Sequence, residues 1–371
     1  MKDIRDAITA SVVGAAIGDS LGGALEFAPA KLIRKTVGRE MWVDDLIPYQ
    51  MPCAAHGPWL ENAPAGIITD DTRLRVIFLE KVIANRGKIT PKLLAEAYLE
   101  REKHLKKYYP GFEKLARSWL GEWTRVAAAY LGKSRDGIPP EVVLATSWGG
   151  VPTAAGILVT THTGLMHPGN PEKAYKLAFD LAIHDSPGYG KDACGLYAGL
   201  LSVLVTRKWT AQEIRKAIKG IVKLDPYGLG KRELVGRHMV EYINRAIRLA
   251  ERAHSGKGLA HQLALNIPGT HWFDPAEMIA VAMACVYYTG GDFEEATVIA
   301  SNHHGVDRKG RHTGNRDCDT TGGFAGGLAG AATGSAGIRR DWWSRVVTVN
   351  RTAFKFDLEE LGRKFAESLV L

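Results

Sequence analysis

Glycine recurs every fourth residue in two stretches far apart in the chain. Gly14, Gly18 and Gly22 form one series; Gly322, Gly326, Gly330 and Gly334 form the other, flanked by Ala325, Ala329 and Ala332. Residues four apart share one face of a helix, and glycine on that face lets another helix approach closely. Each interior glycine costs about 1 kcal/mol relative to alanine, and close packing offsets that cost. The stripes are read either as tight packing alone or as helices that form the floor of a site and bring their ends together.

The rest of the chain has a helical period. Ile4, Ala7, Ile8, Ser11, Val12 and Ala15 follow an i, i+3, i+4, i+7 pattern, and Leu74, Ile77, Phe78, Lys81 and Val82 repeat it with Lys81 as the polar exception. Thr90-Pro91 reads as a cap and first helical position before Leu93–Glu102, and Asn170-Pro171 does the same before Ala174–Ile183. Thr210 with Glu213 is a capping box opening a helix to Val222. Leu234–Ala253, Pro275–Tyr288 and Leu358–Leu371 are further helices. Val346–Val349 and Phe354–Phe356 read as short extended pieces or a small hairpin. No strand–helix alternation occurs, which argues against a doubly wound α/β fold. The proline-rich stretch 43–67 reads as an ordered loop over a site. The whole chain is taken as one domain, with a C-terminal extension at about 341–371.

Two acidic clusters each precede a helix-like stretch: Thr69-Asp70-Asp71-Thr72 and Asp317-Cys318-Asp319-Thr320. Either alone reads as a helix cap, because Asp and Thr suit the first turn and its dipole. Together they offer four carboxylates and several hydroxyls, the hard oxygen donors that Mg²⁺ takes in an octahedron. Their low His and Cys content favours Mg²⁺ or Mn²⁺ over zinc. Asp19 and Glu26 flank the glycine run 18–23, and Glu26 is a candidate acid or base. His184-Asp185, followed by Ser186-Pro187-Gly188-Tyr189, offers a donor to phosphate and a ring to stack. His303, His304, Asp307 and His312 match no zinc spacing.

Lys and Arg number 48 against 40 acidic residues, a formal charge of +8 with a pI near 9.2. That balance suits an anionic ligand. The bases are spread along the chain without interleaved aromatics, so no nucleic-acid partner is expected. Four cysteines without a C-x-x-C pair fit a reducing, cytoplasmic setting. No apolar run is long enough for a signal peptide core or a bilayer span, so no membrane partner is expected.

In their order along residues 11–335, these segments resemble the ADP-ribosylglycohydrolase family. The carrying pieces are Gly14 to Phe27, Thr69-Asp-Asp-Thr72, Pro171 to Ala174 leading to His184-Asp185-Ser186-Pro187, and Asp317-Cys-Asp-Thr320 with its Gly/Ala helix. The resemblance implies an all-α fold, a compact orthogonal multi-helix bundle, holding two Mg²⁺ ions. It puts Thr69, Asp70, Asp71, Asp317, Asp319 and Thr320 at the metal positions. Glu26, with Asp70 and Asp71, forms the catalytic set. Asp19, Trp148, Gly149, Gly150, His184, Asp185, Gly188 and Tyr189 fall to substrate binding. The implied activity is cleavage of the bond from ribose to a protein side chain or small leaving group. Its partner would be an ADP-ribosylated protein or a small ADP-ribose derivative, and the enzyme a monomer.

Two departures bear on the substrate. The family's phosphate-contacting glycine loop corresponds here to Ser147-Trp-Gly-Gly-Val-Pro-Thr153, without the family's methionine and arginine. Asn302–Arg316 is longer and more basic than the short turn many members carry. A small N-glycoside as substrate, phosphoester hydrolysis, and a non-catalytic ADP-ribose-binding role are the rival readings.

Overall fold

Three long helices are buried on every face over most of their length. They are α1 (Ile4–Gly23), α14 (Pro275–Thr289) and α16 (Cys318–Thr333). Helices apolar all round belong in a core. The computed structural model describes residues 3–50, 57, 63–135, 137–185, 188–228 and 236–369.

In chain order α1 is followed by α2 (Ala30–Val37), α3 (Asp70–Ala84), α4 (Pro91–Lys103), α5 (Leu105–Tyr108) and α6 (Glu113–Tyr130). Next come α7 (Pro140–Thr146), α8 (Ala155–Thr160), α9 (Pro171–Leu181), α10 (Tyr189–Leu204), α11 (Ala211–Ile221), α12 (Gly236–Arg252) and α13 (Gly256–Asn266). After α14 stand α15 (Phe293–Ser301), the antiparallel hairpin β1 (His304–Val306) and β2 (His312–Asn315), α16, α17 (Arg340–Phe354) and α18 (Leu358–Ser368). The fold is all-α, and the hairpin is the one sheet among the described residues.

The glycine stripes face each other. A Cβ on Gly18 would meet the Gly322 carbonyl oxygen at 2.0 Å, and one on Gly22 would meet the Cys318 carbonyl oxygen at 2.0 Å. Gly14 opposes Gly326, and Gly330 opposes Ala10. α1 and α16 therefore run in backbone contact. Their register sets the end of α1, with Asp19 in its last turns and Glu26 just beyond it, beside the start of α16.

Caps expected from the sequence form. Thr90 and Asn170 each accept a hydrogen bond from the first turn, and Thr210 with Glu213 makes the full capping box. The extended reading of Val346–Val349 is corrected, and with it that of Phe354: Val346 to Phe354 lies inside α17, and Lys355 and Phe356 follow its end. Its β-branched residues follow a helical period in which Trp342, Val346, Val347, Asn350 and Phe354 are buried together. Packing against the core outweighs their local strand preference. Within the helix expected at Leu234–Ala253, residues 234 and 235 lie outside the described chain, as do 370 and 371 at the end of the last helix.

The loop at 43–67 is held at both ends by buried asparagines; its residues 51–56 and 58–62 lie outside the described chain. Asn302, the C-cap of α15, accepts from the Val43 N–H at 2.8 Å and donates to the Val43 carbonyl at 2.7 Å. Asn350 of α17 accepts from the Ile68 N–H at 3.1 Å and donates to the Gly66 carbonyl at 2.8 Å. The segment 341–369 thus packs into the same core, with Phe365 against Phe78. No single helix among the described residues is long and apolar enough to cross a membrane.

Candidate functional site

Asp19, fully buried on α1, receives the N-terminus of α3. It accepts hydrogen bonds from the Thr69 N–H and the Thr72 N–H, each at 3.0 Å, and from the Thr72 hydroxyl. Thr69 is the N-cap of α3 and accepts from the Asp71 N–H at 3.1 Å. The cap reading of the first cluster therefore describes Thr69. Asp70 and Asp71 are left as first-turn residues, and both line a cavity beyond the helix end.

The second cluster behaves differently. Asp317 occupies the N-cap position of α16 but makes no side-chain cap hydrogen bond. Its carboxylate lines the same cavity, as do Asp319 and Thr320. The two clusters touch: the Thr320 hydroxyl donates to Asp71 Oδ2 at 2.8 Å across 249 residues of sequence. Glu26, Asp317 and Asp319 each present an oxygen within 4.8 Å of the others.

These carboxyls crowd one another away from water. Burial, then Asp319, Asp317, Asp70 and Asp71 push the Glu26 carboxyl well above the usual range. Burial and Asp319 raise Asp71, with Arg75 opposing. Burial and Asp317 raise Asp319, while burial and Asp71 push Asp317 up to about 7. Clustered like charges in a buried place are relieved by a bound cation. The donors are all oxygen, so the set fits a hard divalent ion.

The cavity holds about 480 Å³. One wall is the carboxylate cluster. Five aromatic side chains also line it: Trp119 and Trp123 from α6, Trp148 from the turn 147–150, and Phe27 and Phe273. Ser118, Glu122, Thr153, Ala154, Ala155 and Leu158 complete it. Sequence reasoning had passed over Trp119, Glu122, Trp123 and Phe273. Trp119 and Trp123 stand four apart on one helix face, a pattern indistinguishable from an ordinary core stripe.

Other expected residues lie around this cavity. Trp148 lines it; Gly149 and Gly150 do not, and serve the turn with φ of 72° and 75°. Asp185 is buried behind the wall and accepts from the Thr153 N–H at 3.2 Å, so it positions a lining residue. Burial pushes its carboxyl up to about 7. His184 is fully buried edge-on to Tyr98, with neither ring nitrogen hydrogen-bonded, and burial lowers its pKa to about 3. Gly188 caps α10 with φ of 119°, and the ring of Tyr189 packs on His238 at 4.4 Å. Ser186 and Pro187 lie outside the described residues. Asp19 and Thr69 stand behind the α3 terminus, outside the cavity lining.

The basic segment before Asp317 is the hairpin. Arg316 is paired with buried Glu277 at 2.6 Å, and Glu277 also receives His303 Nε2 at 2.7 Å. Arg311 is paired with Asp307 at 2.7 Å. The rings of His304 and His312 stack at 4.2 Å, and the only group among the described residues with metal-ligand spacing is the carboxylate one.

The sequence profile of the ADP-ribosylglycohydrolase family matches residues 1–370. Among curated proteins no match is found. A solved structure described as an ADP-ribosylglycohydrolase-related protein complex aligns with a TM-score of 0.63 at 18% identity, covering 99% of each chain. At that identity the likeness is one of fold. The profile runs through both acidic clusters and both glycine helices, and on that match the chain belongs to the ADP-ribosylglycohydrolase family.

Proposed function

We propose that this protein hydrolyses the bond between the anomeric carbon of a ribose and its leaving group, with divalent cations held by the joined acidic clusters. The observation that carries the reading is the contact of Thr320 with Asp71, which makes one site of two distant segments. Asp70, Asp71, Asp317 and Asp319 would hold two ions, Mg²⁺ or Mn²⁺, with Thr320 contributing an oxygen. Bound there, the ions supply Lewis acidity that lowers the pKa of water and grips ribose hydroxyls.

The residues of the chain do the rest. Carboxylates engaged as ligands are poor bases, which leaves Glu26 as the acid or base at the reacting carbon. In the reaction the carbon–leaving-group bond breaks with its electron pair going to the leaving group. The oxygen of water bonds to the carbon, and the proton that water gives up ends on the leaving group. Positive charge on the sugar ring is stabilised by the surrounding carboxylates. The family points to an ADP-ribosylated side chain or a small ADP-ribose derivative as substrate. A small N-glycoside is the second reading, favoured by the absence of Lys and Arg from the described cavity lining.

The test is a mass-spectrometric panel of ADP-ribosyl-arginine, ADP-ribosyl-serine, O-acetyl-ADP-ribose and plain nucleosides, run with Mg²⁺ and with chelator. Release of a free ribose hydroxyl product only with Mg²⁺ is expected. Free phosphate in its place would assign phosphoester hydrolysis. Tight ADP-ribose binding without product would assign a binding role.

A further inference from the structure

Two arginines near the start of α3 are buried: Arg73 and Arg75 are 0% and 1% exposed. Residues two apart on a helix point about 200° from each other. Arg73 lies over the rings of Trp119 and Phe354, at 5.1 and 4.8 Å. Arg75 turns to the acidic residues. One of its terminal nitrogens stands 3.4 Å from Asp71 Oδ2, and the other 3.4 Å from the Thr72 hydroxyl, which itself donates to Asp19. Burial raises the Asp71 and Asp19 carboxyls, and Arg75 is the charge that opposes it in both.

Space for this guanidinium is made by Gly323 of α16. A Cβ there would stand 2.8 and 2.9 Å from the two terminal nitrogens of Arg75. Gly323 lies one residue off the four-residue stripe that meets the glycines of α1. The Phe324 ring lies 5.9 Å from the centre of the guanidinium. Taking such a group out of water is costly unless its charge is paired. Hydrogen bonding alone offsets little of that cost, because both contacts are long and Nε has no hydrogen-bond partner among the described residues. What surrounds the place in excess is negative charge: Asp19, Glu26, Asp71, Asp317 and Asp319 are all buried.

Resting on the cation-dependent reading above, we propose that Arg75 is a resident counter-cation of the carboxylate cluster, standing in for part of the charge that divalent ions bring and keeping the site formed before they bind. Asp71 gives Oδ2 to Arg75 and to the Thr320 hydroxyl, so Oδ1 is the oxygen left for an ion. Arg75 and the ions serve the same carboxylates, and like charges around one set of ligands oppose each other. Each therefore matters most when the other is gone.

Thermal melts and Mn²⁺ titrations followed by electron paramagnetic resonance test this with two variants. Arg75→Met fills the space without the charge, and Arg75→Lys keeps the charge. In chelator Arg75→Met should melt about 10 °C below the wild type, as the loss of a buried partner charge implies, and Arg75→Lys within about 4 °C of it. Mn²⁺ should bind Arg75→Met about tenfold tighter than the wild type, and saturating Mn²⁺ should return about half of its loss beyond what the ion adds to the wild type. A packing role alone predicts the same loss with and without Mn²⁺. That result would overturn the proposal, as would weaker Mn²⁺ binding by Arg75→Met, or Arg75→Lys behaving as Arg75→Met does. If Arg75→Met does not fold, Gly323→Ala answers the same question, because its methyl displaces the guanidinium. Mn²⁺ should return part of its stability loss, and a loss indifferent to Mn²⁺ would overturn the proposal. A wild type that binds no Mn²⁺ would remove the cation-dependent reading and the proposal with it. A wild type that binds Mn²⁺, with variants that fail as described, would remove the proposal alone.

Discussion

Asp319→Asn should stabilise the cation-free protein while ending its response to Mg²⁺. The substitution keeps an acceptor for the Thr320 N–H, which Asp319 Oδ1 receives at 2.8 Å, and removes one charge from a buried group of like charges. In chelator the melting temperature should rise by about 2 °C, the shift that roughly 1 kcal/mol gives in a large domain. Added Mg²⁺ should raise the wild type further and leave the variant unmoved. A wild type indifferent to Mg²⁺ in the same melts would count against the site. Asp192 gives a separate residue-scale prediction. It is buried on α10, accepts from the Tyr175 hydroxyl at 2.5 Å, and burial pushes its carboxyl up to about 7 against the pull of that hydrogen bond. The unfolded chain ionises this group near 3.8. Between those values the folded protein holds a proton that the unfolded chain has lost, so stability falls as pH rises through that window. Urea unfolding at pH 5 and pH 8 should show Asp192→Asn with a shallower fall than the wild type; an equal fall would mean that Asp192 is not the group responsible. At this scale the acidic residues were legible in the sequence, because a hard cation demands oxygen donors and two doublets with threonines are uncommon. Trp119 and Trp123 were not, because an aromatic pair at helical spacing looks the same facing a cavity as facing a core.

Helix α16 matters through its contact with α1. Gly18→Ala would drive a methyl into the Gly322 carbonyl oxygen, where neither backbone can yield without moving the start of α16. A loss of about 3 kcal/mol or more is expected, at the upper end of overpacking costs, together with weaker Mg²⁺ binding, because Asp317 and Asp319 ride on that helix end. Gly121→Ala is the matched control. It lies in α6 with open space where its Cβ would go, and should be neutral or stabilising by about 0.4–1 kcal/mol. Denaturant titration of both variants checks the pair; equal effects would remove the special standing of the α1–α16 contact. The four-residue glycine spacing made this contact legible, since nothing but close approach offsets so many helix-interior glycines. The strand-like reading of Val346–Val349 failed for the converse reason. Local propensity there is weak, and the burial of Trp342, Val346 and Asn350 on one face of α17 decides the outcome.

Across the whole molecule, the site depends on segments that never enter it. α15 and α17 hold the two ends of the 43–67 loop through Asn302 and Asn350, and the second of these fixes the chain just before Thr69. Asn350→Ala would leave the Ile68 N–H and Gly66 carbonyl buried without that partner, at a cost of roughly 2–5 kcal/mol for the two groups. Thermal melts should show the loss, and Mg²⁺ binding should weaken with it. These long-range pins are invisible to periodicity, because an asparagine within a helix carries no mark of what it will meet. The account rests on oxygen donors from the starts of α3 and α16 sharing bound cations. Anomalous diffraction from crystals grown with Mn²⁺ tests it most directly. Two peaks are predicted among Asp70, Asp71, Asp317 and Asp319. Manganese found only elsewhere on the protein, with those four carboxylates free of it, would contradict the account.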